Sequence, residues 1–286
     1  MGSIYYLNGV YVREDEAKIP IVDLGVVRGY GIFDYLRTYR GVPFHLWEHL
    51  LRLKYSAEQI GLHLPNTMEE IEKIILKLLC ENNFPESSIK IVVTGGLSSD
   101  HMMPEKNSTL MILVYPFKPF PEEFYTQGIR AITTPLFRPV PFAKTTHYIP
   151  AIMALHKARE VGAHEALYLN AEREVLEATT SNFFALKKGT LITPASEEIL
   201  YGITREVILK IASCPVEIRP IRYEELASLD EAFISSSNRE IMPISQIDDF
   251  CFELGPKTRE LKEQFRNYTS QGSWEALKIP RYTAQV

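Results

Sequence analysis

Two hydrophobic periods alternate along the chain. Ile4–Val12 is built from Ile, Tyr, Leu and Val around Asn8-Gly9, a dipeptide that favours a tight hairpin turn. Ile32–Tyr39 and Val42–Leu46 flank Arg40-Gly41 in the same way and predict a second hairpin. The period then lengthens. Leu50, Leu53, Ala57 and Ile60 are spaced by threes and fours, which predicts a helix over Trp47–Gly61. A second helix is expected over Thr67–Asn82, with Asn66 or Thr67 as cap and glutamates in its first turn. The β-rich runs Ile89–Thr94 and Leu110–Tyr115 complete an α+β unit over residues 1–115.

Three prolines follow within residues 116–121, and 116–127 is expected as a stiff linker. A second, larger unit spans 128–286. Its expected strands are Ile129–Thr133, Glu165–Leu169, Val175–Thr179, Phe183–Lys187, Thr190–Thr193 and Glu231–Ser235. Its expected helices are Tyr148–Val161, Thr204–Ser213 and Gly255–Asn267, with a helical turn at Tyr223–Ser228 and a helix-like run at Arg239–Ile241. Beyond Thr269 the chain is polar and irregular and is expected as a tail. The whole reads as α+β, two units without internal repeats.

At 286 residues, with 45% hydrophobic and 23% charged residues, the composition is that of an ordinary globular protein. A net charge of −5 without a basic cluster argues against nucleic-acid partners. The start of the chain lacks a basic stretch followed by an apolar run, and no apolar run has membrane length, so neither a leader nor a membrane partner is expected. Cys80, Cys214 and Cys251 are widely spaced, match no metal motif and suit a reducing cytoplasm.

The chemistry centres on Lys144, in Pro-Phe-Ala-Lys-Thr-Thr-His-Tyr, and Glu177, in Val-Leu-Glu-Ala-Thr-Thr-Ser-Asn. A lysine amine can condense with an aldehyde, and a carboxylate can hold a ring nitrogen protonated. A carboxylate on an apolar strand such as Val175–Thr179 needs a partner if it is buried. Gly202-Ile203-Thr204 opens a helix, whose first N–H groups suit an anion. Ser236, Ser237 and Asn238 add hydroxyl and amide donors. There is no Gly-x-x-x-x-Gly-Lys and no Gly-x-Gly-x-x-Gly, so the phosphate cradle is not of nucleotide type.

These segments, with His-Leu-Trp-Glu-His-Leu-Leu-Arg-Leu ending at Leu53 and Phe-Ile-Ser-Ser-Ser-Asn-Arg-Glu-Ile-Met-Pro-Ile ending at Ile244, resemble the class IV (fold-type IV) aminotransferases from about Tyr5 to Ile247. The resemblance implies two α/β domains, pyridoxal 5'-phosphate between them, and a homodimer acting on an amino acid and a 2-oxo acid. It gives Lys144 the cofactor link and the proton transfer, Glu177 the pyridine nitrogen and Arg52 the phosphate. Ser181 and Asn182 match the family's Ser-Asn after that glutamate. Tyr148, four residues after Lys144, stands where the family usually has Asn or Asn-Tyr, one helical turn on if the helix has begun. For the substrate carboxylate, the usual Arg-x-His pair is missing from Thr94–Pro104, which leaves Arg28 and Arg37 as candidates; Arg40 sits at a hairpin turn. A D-amino-acid transaminase is the first reading, from the compact length and the Ser-Ser-Ser-Asn run. A branched-chain aminotransferase follows, then an R-amine transaminase. An aminodeoxychorismate lyase uses the same residues, and a dimerising protein without chemistry is the non-enzymatic rival.

Overall fold

In the computed structural model, which describes residues 2–195, 197–277, 279 and 282, Asn8 and Gly9 both have positive φ (44° and 94°). They turn β1 (Ile4–Leu7) into β2 (Val10–Arg13), the hairpin that their dipeptide favours. A single helical turn, α1 (Leu24–Val27), is capped by the Asp23 side chain and precedes β3 (Gly31–Tyr39). Arg40 and Gly41, again with positive φ, lead into β4, which is only Val42–Pro43 rather than reaching Leu46. Pro43 has no N–H for the ladder, and His45 at φ 50° swings the chain directly into α2 (Leu46–Ile60). Thr67 and Glu70 form a reciprocal capping box at the start of α3 (Met68–Asn82).

With β5 (Ser87–Thr94) and β6 (Thr109–Pro116), these strands form an antiparallel sheet in the order β2-β1-β6-β5-β3-β4. One face carries Ile32, Leu36, Ile89, Ile91, Val93, Ile112 and Val114 against Leu50, Leu53, Ile71, Ile75 and Leu78 of the two helices. All twelve are wholly buried, and each contributes roughly 1.5–3 kcal/mol of apolar burial.

The second sheet has nine strands. In chain order the elements are α4 (Glu123–Thr126), β7 (Ile129–Thr134), α5 (Ile149–Glu160), β8 (Glu165–Leu169), β9 (Val175–Ala178), β10 (Asn182–Lys187), β11 (Thr190–Thr193), α6 (Ile203–Ile211) and β12 (Val216–Ile218). A 3-10 turn at Tyr223–Ser228 leads to β13 (Glu231–Ser236), β14 (Glu240–Ile247), β15 (Phe250–Cys251) and α7 (Pro256–Thr269). The sheet order is β12-β11-β10-β13-β14-β7-β8-β9, and β9 also pairs β10 at Glu177–Asn182. Six strands therefore close on themselves, and a separate apolar cluster that includes Leu167, Phe183, Ile234 and Ile244 belongs to this sheet.

Several expectations need correction. Arg239–Ile241 is not helical: Ser237–Arg239 is a three-residue hairpin turn, Glu240 at φ 57° opens β14 opposite Ser236 of β13, and Ile241 pairs with Ser235. The helix after Lys144 starts only at Ile149, so Tyr148 is its cap and does not share a helical face with Lys144.

The compact units also divide differently. The first comprises Met1–Lys118, Ala143–His147 and Gly272–Val286; the second comprises Pro119–Phe142 and Tyr148–Gln271. The boundary falls at Lys118/Pro119, and the expected 116–127 linker is shared between the end of β6 and α4 of the second unit. Ala143–His147 joins the first unit by backbone pairing: Phe33 N–H donates to the Lys144 carbonyl, and Ile32 bridges Thr145. The expected tail packs as well. Trp274 meets Phe44 edge-on, Leu277 N–H donates to the Glu48 carboxylate, and Leu277, Ile279 and Tyr282 are buried.

Candidate active site

Each unit gathers its own share of the expected residues. In the first, Ser56 connects two of them. It is fully buried on α2, donates to the Arg52 carbonyl at 2.8 Å and accepts the Lys144 N–H at 3.1 Å. The backbone of Lys144 is thus fixed on one side by Ser56 and on the other by Phe33. The Lys144 ammonium lies 4.7 Å from the centre of the Phe33 ring, and that of Lys90, on β5, lies 5.1 Å from the same ring. Burial pushes the Lys90 amine below its ordinary pKa.

Arg52 is buried and grips Asp34 with two parallel bonds, Nε to Oδ2 and Nη2 to Oδ1, each 2.8 Å. His49 Nδ1 donates to the same carboxylate at 2.6 Å. Burial alone would raise the Asp34 carboxyl, but Arg52 and His49 outweigh it and hold it well below the usual carboxylate range. Burial makes His49 less basic than usual, against the opposing pull of Asp34. Sequence reasoning missed Asp34, His49, Ser56 and Lys90. The signal for Asp34 was present: a charged residue at an inward position of β3, between Ile32 and Leu36.

In the second unit, Glu177 is buried on β9 and its Oε1 lies 2.9 Å from Nε of Arg138. Its Oε2 accepts from the Leu200 N–H at 3.2 Å and from Asn182 Nδ2 at 3.3 Å. Asn182 also donates to the Leu200 carbonyl at 2.7 Å. A Cβ on Gly202 would come within 2.0 Å of Asn182 Oδ1, so the start of α6 requires glycine through close approach, not through its φ of −78°. Ile203 and Thr204, the first residues of α6, are buried, and the N-cap residue, Gly202, brings no side-chain hydrogen bond to this helix end. Arg138, which sequence reasoning missed, lies in an irregular stretch with no periodicity to mark it.

Ser181 and Ser236 hydroxyls are 3.2 Å apart, and Ser236 donates to Asn238 at 2.9 Å. Arg239 donates to Ser181 at 2.9 Å and to Thr180, and pairs with the buried Glu165 at 3.1 Å. Ser237 lies in the same turn, half-buried. Glu177, Ser181, Asn182, Gly202, Ser236 and Asn238 thus form one connected set through β9, β10 and β13.

The two substrate arginines are not brought together. Arg28 is exposed and donates to the carbonyls of His101 and Val27. Arg37 is buried, its guanidinium 3.4 Å from the Phe117 ring centre and 4.3 Å from that of Tyr39. Among the described residues no cluster of His, Cys, Asp and Glu could hold a metal ion, and no helix is long and apolar enough to cross a membrane.

The pattern of Amino-transferase class IV matches residues 31–247, a span that contains β3, the Lys144 segment and the Glu177 network. This chain belongs to the class IV aminotransferases. Similar proteins include a D-alanine aminotransferase of Staphylococcus epidermidis, 36% identical over 94% of this chain and 98% of that protein. A Methanocaldococcus jannaschii protein, provisionally named a branched-chain-amino-acid aminotransferase, is 36% identical over 92% of this chain and 95% of its own length. The branched-chain aminotransferase of Thermoproteus uzoniensis, solved with norvaline, superposes with a TM-score of 0.88 at 32% identity, covering 96% of this chain and 97% of that one. The fold is therefore that of the fold-type IV aminotransferases, and the chain is an aminotransferase.

Proposed function

We propose that this aminotransferase exchanges an amino group between a D-amino acid and a 2-oxo acid with pyridoxal 5'-phosphate. The observation that carries the cofactor assignment is the Gly202 turn. It brings the start of α6 and the buried Glu177 within reach of one amide, Asn182, so an anion donor set and a carboxylate for a ring nitrogen are tied together. When bound, the cofactor supplies an aldehyde and an electron-withdrawing ring.

The chain's own groups do the rest. The Lys144 amine is the nucleophile that holds the cofactor and then the base that moves the substrate Cα proton. Glu177, paired with Arg138, would hold a proton on the ring nitrogen. Ile203, Thr204, Ser236, Ser237 and Asn238 offer phosphate donors, and Arg52 brings a charge that Asp34 fixes in direction. Tyr148 belongs to the same reading as a cofactor-binding residue. Arg28 or Arg37 would receive the substrate carboxylate; Arg28 is the better placed, being exposed and bonded only to carbonyls among the described residues. A homodimer in the cytoplasm belongs to the same reading.

The name of the Staphylococcus relative supports the D-specific reading. The Methanocaldococcus and Thermoproteus relatives favour the runner-up, a branched-chain L-enzyme. Purified protein should be yellow, and Lys144→Ala should lose both the visible band and turnover, the latter by roughly 10³-fold or more. A Lys144→Ala protein with near-normal turnover would end the transaminase reading. Single-donor assays with D-alanine, D-glutamate, L-leucine and L-valine and 2-oxoglutarate as acceptor then decide specificity. Turnover confined to the L-donors overturns the D-specific reading and establishes the runner-up.

A further inference from the structure

Helix α7 carries Arg259, Lys262 and Arg266 at spacings of three and four, so they share one face over roughly 10 Å of helix. Among the described residues none of the three forms an ion pair, although the same helix pairs Lys257 with Glu260 at 2.8 Å. Their face borders a cleft of about 490 Å³, closed by Tyr125 of α4, Pro243 of β14 and Leu254. Lys262 is half-buried with its ammonium 4.3 Å from the Tyr125 ring centre, and Arg259 donates to the Leu254 carbonyl at 2.6 Å. Glu263 also lines the cleft, and Glu122 and Glu240 act on Lys262. They do not neutralise it: burial and Arg266 outweigh both glutamates and leave Lys262 less basic than an ordinary lysine. An anion seated there would reverse that effect.

We propose that this cleft binds an oligophosphate ester, its phosphoryl chain along Arg259, Lys262 and Arg266 and its organic part against Pro243 and Leu254. A linear row of three cations suits a ligand with about three negative charges in a row; a monophosphate, or a compact branched tricarboxylate such as citrate whose charges do not lie in a row, leaves at least one cation unanswered. The volume lies in the range of small-molecule sites, and Tyr125, Pro243 and Leu254 add apolar lining to the basic residues. The site shares no residue with the candidate active site and does not depend on the transaminase reading.

The test is calorimetric titration of the full chain, saturated with pyridoxal phosphate so that the other phosphate donors are occupied, with ATP, ADP, AMP and citrate. ATP and ADP should bind at least roughly tenfold more tightly than AMP or citrate, and the double variant Arg259→Ala/Arg266→Ala should lose roughly tenfold or more in ATP affinity. Both arginines are exposed, so the variant should melt as the parent does. Lys262→Met, which keeps the packing on Tyr125, should weaken ATP in the same direction. Absence of ATP binding at millimolar concentration, citrate binding as tight as ATP, or an affinity unmoved by the double variant would each overturn the proposal.

Discussion

Asp34 and His49 are wholly enclosed, and their titration couples this fold's stability to acid. The folded protein keeps His49 less basic, and the Asp34 carboxyl more acidic, than the unfolded chain does. As pH falls below the ordinary histidine range, near 6.5, the unfolded chain takes up a proton that folded His49 refuses. The His49 contribution to stability is therefore complete above that pH and is lost progressively below it. The Asp34 contribution is lost further down, through the ordinary carboxylate range. His49→Asn retains a donor for Asp34 but cannot titrate, so urea unfolding between about pH 7 and 5 should show a shallower loss of stability than the parent. Identical slopes would place the proton uptake elsewhere. Gly202→Ala tests the other residue-scale contact. Its methyl group would displace the Asn182 amide from Leu200 and Glu177, costing about 1–3 kcal/mol in thermal unfolding and speeding release of pyridoxal phosphate. An unchanged melting temperature and unchanged cofactor retention would show that the start of α6 adjusts freely.

Among the elements, the short segments carry most of the unexpected structure. The Lys144 segment is too brief to show a period, yet the Lys144 carbonyl and the Thr146 N–H bond to Phe33 and Gly31 of β3. The stretch after α7 looks like a tail because its apolar residues are isolated, yet it returns to α2. Leu277 is buried there with its N–H on Glu48, whose carboxyl is held below its ordinary value by His45 and by that N–H against the opposing effect of burial. Leu277→Ala should destabilise the first unit by about 2–4 kcal/mol in denaturant unfolding. A loss under about 0.5 kcal/mol, the size of a surface substitution, would mean that the segment merely rests on α2. The hairpins behave otherwise: Asn8-Gly9 and Arg40-Gly41 turn where their dipeptides indicate, because turn geometry is a local matter.

For the whole molecule the consequence lies in connectivity. The chain changes unit at Lys118/Pro119, Phe142/Ala143, His147/Tyr148 and Gln271/Gly272, so neither unit is a continuous stretch of sequence. A fragment of residues 1–118 would keep most of the first core but lose the segment bridged to β3 and the segment over α2. It should be poorly soluble or melt without cooperativity by circular dichroism, since an exposed strand edge and uncovered apolar surface favour association. Cooperative melting of a monomeric 1–118 fragment would show that the returning segments add little.

What the sequence by itself determined is whatever depends on neighbours in the chain. The helices over residues 46–60 and 68–82 follow from spacing and capping, most second-unit strands from β-branched runs, and the Lys144, Glu177 and Gly202 segments from motifs that resemble the family. Tertiary structure decided what depends on distant partners. Glu177 could be read as solvated or buried until Arg138 and Asn182 surrounded it, and nothing near Arg37 in the sequence announced that its guanidinium would lie on the rings of Phe117 and Tyr39. Ser236–Asn238 looked like a helix entry until β13 and β14 paired across it. A buried charge or an edge strand has its energy set by groups many residues away, and a single strand's pattern carries no record of them.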